Sequence, residues 1–220
     1  MIRWAVRSVV FAVLVGLALF LGAGTIRWVM AWFYVGLYLL QQAILTLVLP
    51  RELLVERSAV QEGTKPWDRL LSTLSALALP LALYVVAGLD HRYGWTSSLA
   101  PALPATALGA MVLGMALTGW AMWANRFFSG TVRIQGERGH HVVTTGPYAY
   151  VRHPGYVGGI LHHVAAPLVF GSAWALIPGV LGAAALVART ALEDRTLQEE
   201  LPGYEAYARQ TRDRLVPGVW

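Results

Sequence analysis

Five long apolar stretches constrain the fold of this chain more than any other feature of its sequence. They cover residues 4–21, 28–49, 70–89, 103–124 and 156–188. A helix needs about 20 apolar residues to cross about 30 Å of hydrocarbon, so the first four stretches each have the length of one membrane span. Charged residues make up 13% of the chain, against about 25% in soluble domains. This deficit predicts an all-α integral membrane protein with lipid around much of its surface.

The fifth apolar stretch is too long for a single span and contains helix-breaking residues. Pro167 and the run Phe170-Gly171-Ser172 interrupt it, and an internal proline removes one helix hydrogen bond and clashes with the preceding turn. We therefore expect a helical hairpin whose arms cover residues 156–169 and 173–190. The predicted architecture is about four spanning helices followed by this C-terminal hairpin.

The positions of the basic residues predict the orientation of the spans. If the N-terminus lies inside, fifteen of the 17 lysines and arginines fall on the inner side, and Arg27 and Arg92 fall outside. Such asymmetry is typical of cytoplasmic segments, so both termini are predicted to be cytoplasmic, in an inner or plasma membrane. Arg3 and Arg7 before the apolar run of residues 9–22 also resemble a signal peptide, but the weak cleavage site near Ala23 favours a retained span.

The same topology predicts where the polar segments meet. Both ends of the hairpin return to one membrane face, so residues 125–154 and 192–220 are expected to lie together there. We therefore divide the chain into N-terminal transmembrane helices, residues 1–124, and a C-terminal core, residues 125–220. The net charge of +5 is assigned to contacts with anionic lipid headgroups, and no nucleic-acid partner is predicted.

No metal site is expected from this sequence. The chain lacks cysteine, which excludes disulfides, thiolate metal sites and a cysteine nucleophile. His162 and His163 fall inside the hairpin, where a histidine is a functional candidate. As adjacent residues they point in different directions, so at most one faces a site, and they lack the i, i+4 spacing of a helical metal pair. His140 and His141 are expected to be exposed loop residues.

A polar loop between residues 139 and 156 carries the most informative pattern. Gly146-Pro147 is typical of a turn, and Pro154 has the character of a first helical residue, where its missing N–H costs nothing. The helix that follows would direct its free N–H groups and positive dipole end toward the loop, a position that suits a carboxylate ligand. Arg152 and His153 lie at this predicted membrane boundary. In isolation, such a pair is more typical of headgroup contact and loop capping than of a site.

Two motifs in the C-terminal part resemble a known family. Residues 146–158 read Gly-Pro-Tyr-Ala-Tyr-Val-Arg-His-Pro-Gly-Tyr-Val-Gly, and residues 193–207 read Glu-Asp-Arg-Thr-Leu-Gln-Glu-Glu-Leu-Pro-Gly-Tyr-Glu-Ala-Tyr. In this order they resemble the isoprenylcysteine carboxyl methyltransferase family and its phospholipid N-methyltransferase relatives. The resemblance covers residues 125–220. It departs from the family pattern at Asp194, where Glu is common, and at Leu201-Pro202, where Phe-Gly is often found.

The resemblance implies an enzyme that transfers a methyl group from S-adenosylmethionine, leaving S-adenosylhomocysteine, to a lipid-like substrate entering from the bilayer. The substrate head is implied to be a carboxylate or an amine, and the oligomeric state stays open. Arg152 and Glu193 are the implied catalytic residues. The implied cofactor-binding residues are Thr145, Gly146, Pro147, Tyr148, His153, Pro154, Tyr156, Gly159, Glu193 and Asp194.

The chemistry of these side chains suits such a reaction. Arg152 would hold a substrate carboxylate as a bidentate fork, and Glu193 would accept hydrogen bonds from the cofactor's ammonium or ribose hydroxyls. His153 would bond the cofactor's carboxylate or ribose. Tyr148 and Tyr156 would pack on adenine or on the sulfonium, because a cation favours an electron-rich ring face. A carboxylate nucleophile needs no general base, whereas an amine would need deprotonation by His153 or Glu193.

Two other functions stay open at this stage. An NADPH-dependent sterol or steroid reductase would be distantly similar in its C-terminal membrane region and would use Arg209, Arg212 and Arg214 for the 2′-phosphate. A non-enzymatic membrane protein that keeps the fold would not need Arg152 or His153 for its role. Comparing S-adenosylmethionine binding with NADPH binding separates the methyltransferase from the reductase.

Helical spacing gives Glu193 a structural alternative. Arg189 lies four residues before it, and Arg195 and Glu199 have the same separation. Pairs at i, i+4 are neighbours on a helix surface and often form weak ion pairs there. Both pairs are therefore also expected as surface ion pairs.

Overall fold

A computed structural model describes residues 2–100 and 102–220, and these residues form helices and turns without any strand. The long helices are joined by short loops, except between α6 and α7, where a loop of about 30 residues contains two 3-10 turns. The helices are α1 (Ile2–Ala23), α2 (Val29–Val48), α3 (Arg51–Arg57), α4 (Pro66–Thr73), α5 (Leu79–Tyr93), α6 (Ala102–Ala124), α7 (Pro154–Val169), α8 (Leu176–Glu200) and α9 (Tyr204–Gln210).

Prolines and glycines set several helix ends. Pro66 and Pro154 occupy the first turns of α4 and α7, where a proline lacks only an N–H that would have no helical partner. Gly94 follows α5 in the left-handed conformation with φ of 64°, and its N–H donates to the Asp90 carbonyl. A π-helical turn, Leu74–Ala78, joins α4 to α5 without a break.

Among the described residues, five helices are long and apolar enough to cross a membrane: α1, α2, the continuous helix Pro66–Tyr93, α6 and α8. Their outward faces carry large exposed apolar side chains, such as Val13, Leu17 and Leu47, whose exposed fractions are 53%, 49% and 86%. Such surfaces are stable only against lipid or another apolar partner. The prediction of an all-α integral membrane protein is confirmed.

The predicted hairpin is formed by α7 and α8, which turn at Gly171 with φ of 72°. A Cβ on Gly179 would lie 2.5 Å from the His163 carbonyl oxygen, so the backbones of the two arms are in close contact there. Pro167 lies in the last turn of α7 and does not interrupt the helix. Its carbonyl accepts a hydrogen bond from the Ser172 N–H just after the helix ends. The second arm also continues ten residues beyond the predicted end at 190, so Glu193 and Asp194 lie on α8 itself.

Glycine contacts bring α7 against α6. A Cβ on Gly114 would lie 2.7 Å from the carbonyl oxygen of Gly158, so neither position has room for a larger residue. The close approach presses the start of α7 against the end of α6, where a Gly155 Cβ would lie 2.5 Å from the Phe128 ring. This contact holds the loop before α7 at one end of the bundle.

The two ends of the bundle differ in charge. At one end, Trp28 stacks on His91 with ring centroids 4.2 Å apart and also contacts Phe170, so the hairpin tip lies near Arg92. At the other end the segments rich in basic residues come together. The predicted meeting of residues 125–154 and 192–220 is confirmed there by an ion pair between Arg152 and Asp194 at 2.7 Å.

Candidate active site

A buried carboxylate organises the loop before α7. Asp194 is fully buried and receives two parallel hydrogen bonds from Arg152, at 2.7 Å from Nε and 3.0 Å from Nη2. Arg214 Nε donates to it at 2.8 Å, the Tyr204 hydroxyl at 3.1 Å, and His153 Nε2 lies 3.2 Å away. Bidentate arginine–carboxylate pairs are strong and directional, so Asp194 fixes both Arg152 and His153.

The C-terminal segment straps the same loop from outside. The backbone N–H groups of Arg152 and His153 donate to the carbonyls of Asp213 and Arg214 at 3.0 and 2.9 Å. Arg152 Nη1 also donates to the Thr211 carbonyl at 2.8 Å. Burial alone would lower the pKa of Arg152, but its bonds to Asp194 outweigh burial and raise it. The Arg152 guanidinium therefore stays protonated, and hydrogen bonds to Asp194 and to the C-terminal segment fix its position.

A cavity of about 650 Å³ opens beside this network. That volume lies within the range of about 300–1,000 Å³ typical of ligand sites. The predicted site residues on its wall are Tyr148, Arg152, His153, Tyr156, Gly159 and Glu193. The predicted site residues outside its wall are Thr145, Gly146, Pro147, Pro154 and Asp194.

The predicted residues outside the wall support those on it. Thr145 is exposed, whereas Pro147 and Pro154 are buried in the turn and the helix start that carry Tyr148 and Tyr156. Contact of any of these residues with a cofactor stays a prediction. For Asp194 the geometry favours an indirect role, because protein donors occupy both of its oxygens.

Glu193 faces the cavity in a different partnership from the one that helical spacing suggests. Its carboxylate accepts a short hydrogen bond from the Tyr156 hydroxyl. Arg189 pairs instead with Asp68, at 2.5 and 2.9 Å, and its guanidinium carbon lies 5.4 Å from the centroid of the Tyr156 ring. The predicted Arg189–Glu193 surface pair is therefore wrong, because a buried partner on α4 competes successfully for Arg189.

The second predicted pair does form on the exposed face of α8. Arg195 Nε lies 2.8 Å from a Glu199 oxygen. The sequence could not distinguish the two pairs by spacing. What separates them is the burial of Arg189, which is 7% exposed and lines the cavity.

Aromatic residues close the side of the cavity that is formed by the polar loop and α9. Tyr204 and Tyr207 pack edge to face, and the Tyr207 hydroxyl donates to the Tyr148 carbonyl at 2.7 Å. His140 is half-buried against Phe127, with ring centroids 4.6 Å apart, and burial lowers its pKa to about 4. His140 is thus not an exposed loop residue as expected, because its ring fills the space beside Phe127.

The opposite arm of the cavity runs between membrane helices. Phe11 and Leu14 of α1, Tyr38 of α2, Leu77 of the π-helical turn and Met122 of α6 all line it. One continuous space therefore joins a polar, aromatic region near α9 to an apolar region within the bundle. The sequence motifs pointed to the polar region alone.

The hairpin histidines serve the packing of the bundle. His162 Nε2 lies 2.8 Å from the Tyr34 hydroxyl, and the two nitrogens of His163 lie 2.8 and 3.0 Å from the carbonyl oxygens of Gly159 and Ser75. Neither imidazole lines the cavity. Within residues 2–100 and 102–220, no three His, Asp or Glu side chains are grouped to hold a metal ion.

Comparison with known sequences places these features in a family context. Residues 107–199 match the model of the isoprenylcysteine carboxyl methyltransferase (ICMT) family. The chain is also 40% identical over 68 residues to the protein-S-isoprenylcysteine O-methyltransferase of Schizosaccharomyces pombe, a match that covers 30% of this chain. The matched segment spans 29% of that relative's length.

Comparison of structures extends the likeness to the fold. The structure of the eukaryotic intramembrane Ras methyltransferase ICMT (isoprenylcysteine carboxyl methyltransferase) superposes with a TM-score of 0.54 and 18% identity. The alignment covers 93% of this chain and 73% of that one. The family resemblance and the integral membrane fold predicted from the sequence are confirmed.

Proposed function

We propose that this chain is an S-adenosylmethionine-dependent methyltransferase that methylates the carboxylate head of a lipid-like amphiphile at the cytoplasmic membrane face. The observation that carries this proposal is the continuous cavity that the polar loop and the membrane helices both line. A polar cofactor and an apolar tail can occupy its two arms at the same time. The family match supports the reaction class, and the excess of basic residues at the cavity end supports the orientation.

The cavity suits the proposed cofactor. When bound, S-adenosylmethionine supplies an activated methyl group on a sulfonium cation. His153 and the aromatic residues Tyr148 and Tyr207 provide hydrogen-bonding and stacking surfaces on the polar side. Glu193 provides the carboxylate that a cationic amino acid group requires, and its bond from Tyr156 holds it toward the cavity.

The chain contributes mainly position to this reaction. The substrate carboxylate oxygen forms a bond to the methyl carbon while the carbon–sulfur bond breaks, leaving a methyl ester and S-adenosylhomocysteine with no proton transferred. Holding two reactants in line removes much of the entropic barrier. The apolar arm excludes water from the reacting head, and Arg189 places a cation beside Tyr156 and Glu193.

Arg152 takes a different role here from the predicted substrate fork. Four of its five N–H donors are engaged, two by Asp194 and two by the carbonyls of Thr211 and Arg212. We therefore assign Arg152 as a positioning residue that holds His153 and the Arg-His-Pro loop.

The structure does not support the basic site that a reductase would need for the 2′-phosphate of NADPH. Arg209, Arg212 and Arg214 do not line the cavity in the part of the chain that the structure describes. Arg214 instead bonds Asp194, and Arg209 lies 3.5 Å from Glu205 on the exposed face of α9. This arrangement favours methyl transfer over a nicotinamide-dependent reaction.

Calorimetric titration tests the proposal. S-adenosylhomocysteine, titrated into detergent-purified protein, should bind with micromolar affinity, and His153→Ala should weaken binding at least tenfold. His91→Ala, at the opposite end of the bundle, is the matched control and should bind normally. Folded wild-type protein that binds NADPH but not S-adenosylhomocysteine would contradict the proposal, and binding of neither would favour a non-enzymatic role.

A further inference from the structure

Two arginines from the N-terminal helices reach the cavity without a carboxylate partner. Arg7 belongs to α1 and Arg57 ends α3, and both line the cavity. Arg7 Nη1 donates to the Arg57 carbonyl at 2.8 Å, and Arg57 Nη1 donates to the Ser129 carbonyl at 2.9 Å. Among residues 2–100 and 102–220, neither guanidinium lies within 4.0 Å of an acidic oxygen.

The other arginines of the cavity wall are all neutralised. Arg152 pairs with Asp194, Arg189 with Asp68, and Arg133 with Glu56 at 2.9 Å. A cation in a water-poor cavity is stable only when it is paired or well hydrogen-bonded. Arg57 is half-buried and departs from this rule, whereas Arg7 is exposed beside it, so Arg57 is the cation of the pair that an anionic ligand would stabilise.

Arg57 also keeps an unused donor. Its Nε is buried and has no hydrogen-bond partner among the described residues. Burial and the neighbouring cations Arg7 and Arg189 lower the pKa of Arg57 to about 10, so the group stays charged at neutral pH. The Phe128 ring, 4.9 Å from its guanidinium carbon, is an incomplete substitute for an anion.

The backbone places Arg57 beside the reacting region. Arg57 donates to the carbonyl of Ser129 and Arg189 donates to the carbonyl of Gly130, which are consecutive residues of one loop. Arg189 in turn lies over the Tyr156 ring. The Arg57 guanidinium thus lies where the apolar arm of the cavity meets Tyr156 and Glu193, and Arg7 adjoins it through its bond to the Arg57 carbonyl.

We propose that Arg7 and Arg57 form a subsite for the carboxylate head of the amphiphilic methyl acceptor, an inference that rests on the proposed methyltransferase function. A carboxylate can accept from the Arg57 guanidinium through one oxygen and leave lone pairs of the other oxygen free for methylation. Both arginines lie outside the segment that matches the family model. The N-terminal helices would therefore select the substrate as well as line its path.

Paired probes that differ in the head alone test this subsite. N-acetyl-S-farnesylcysteine and its carboxamide are titrated into detergent-purified protein, with and without saturating S-adenosylhomocysteine. Wild-type protein should bind the carboxylate at least tenfold more tightly than the carboxamide. Arg57→Gln should abolish this preference, Arg57→Lys should restore part of it, and Arg27→Gln, at the other end of the bundle, should leave it intact.

Cofactor binding separates failure of this inference from failure of the proposed function. Arg57→Gln should bind S-adenosylhomocysteine within twofold of wild type, and if that variant does not fold, Arg7→Gln replaces it. Wild-type protein that binds the cofactor but shows no preference between the probes would overturn the subsite. Dodecyl phosphate bound at least tenfold more tightly than the carboxylate would also overturn it, because the arginines would then serve a lipid phosphate.

Discussion

The Arg-His-Pro loop and the N-terminal helices line the same cavity, but they differ in whether their cavity arginines are paired with carboxylates. Around the loop, Asp194 gathers Arg152, His153 and Arg214 into a closed network. On α1 and α3, by contrast, the guanidiniums of Arg7 and Arg57 each donate one hydrogen bond to a backbone carbonyl and have no acidic partner among the described residues. The charges of the first region are balanced by protein groups, whereas the second region contains cations without an acidic partner, which a ligand can bind.

This difference separates a scaffold from a selective surface. A fully satisfied buried network holds its side chains in one arrangement, and a partly satisfied one is costly until a partner arrives. The loop therefore suits a cofactor that is the same in every turnover. The unpaired Arg7 and Arg57 suit the binding of a substrate that has to be distinguished from other lipids by its charged head.

Removing the centre of the closed network should have the largest effect. Asp194→Ala leaves Arg152 and Arg214 without their carboxylate, and breaking a buried ion pair typically costs about 3–5 kcal/mol. We expect a large drop in the thermal unfolding temperature in detergent, together with loss of S-adenosylhomocysteine binding. Glu199→Ala, an exposed position on the same helix, is the control, and equal stability of the two variants would contradict the network account.

The second effect concerns the boundary between the two regions. Tyr156→Phe removes the hydrogen bond that holds Glu193 toward the cavity, and a bond to a charged group contributes about 1.5–3 kcal/mol. We expect methyl transfer to fall about tenfold or more, and the unfolding temperature to fall less than in Asp194→Ala. Tyr150→Phe, at an exposed position in the same loop, should keep full activity. An active Tyr156→Phe enzyme would remove Glu193 from the reacting region.

The smallest effect is a pH dependence in the loop. The pKa of His140 is about 4 in the folded protein and about 6.5 in an unfolded chain. The unfolded state therefore takes up the proton first, and stability should fall as the pH drops from about 6.5 to 4. Solvent screening of the half-buried ring limits this loss to about 1 kcal/mol. His140→Gln should flatten that part of the pH profile of the unfolding temperature, and an unchanged profile would show that His140 is not the titrating group.

Local patterns in the sequence predicted much of this molecule. The apolar stretches identified the spans, Gly171 and its neighbours identified the hairpin, and the two motifs identified the loop and α8. Each of these signals lies within a short segment, where helix propensity, proline geometry and hydrophobic length act directly. For this reason their structural outcomes could be expected without knowledge of the packing.

Contacts between distant segments could not be predicted in the same way. Arg189 chooses Asp68, 121 residues away, over Glu193 on its own helix. From the sequence, Arg7 and Arg57 are expected to be ordinary interfacial cations. Only the structure shows that Arg57 contacts the loop at Ser129 and that Arg7 contacts Arg57. The charge balance of a cavity depends on tertiary packing, and the spacing of charged residues along the sequence does not predict it.

Transfer of a labelled methyl group tests the central claim most directly. Protein in lipid vesicles is incubated with methyl-labelled S-adenosylmethionine and N-acetyl-S-farnesylcysteine, and base-labile methyl ester is measured. We predict ester formation by wild-type protein, a loss of at least tenfold in Glu193→Gln, and normal activity in His91→Ala. Wild-type protein that binds the cofactor and this probe but forms no methyl ester would contradict the account.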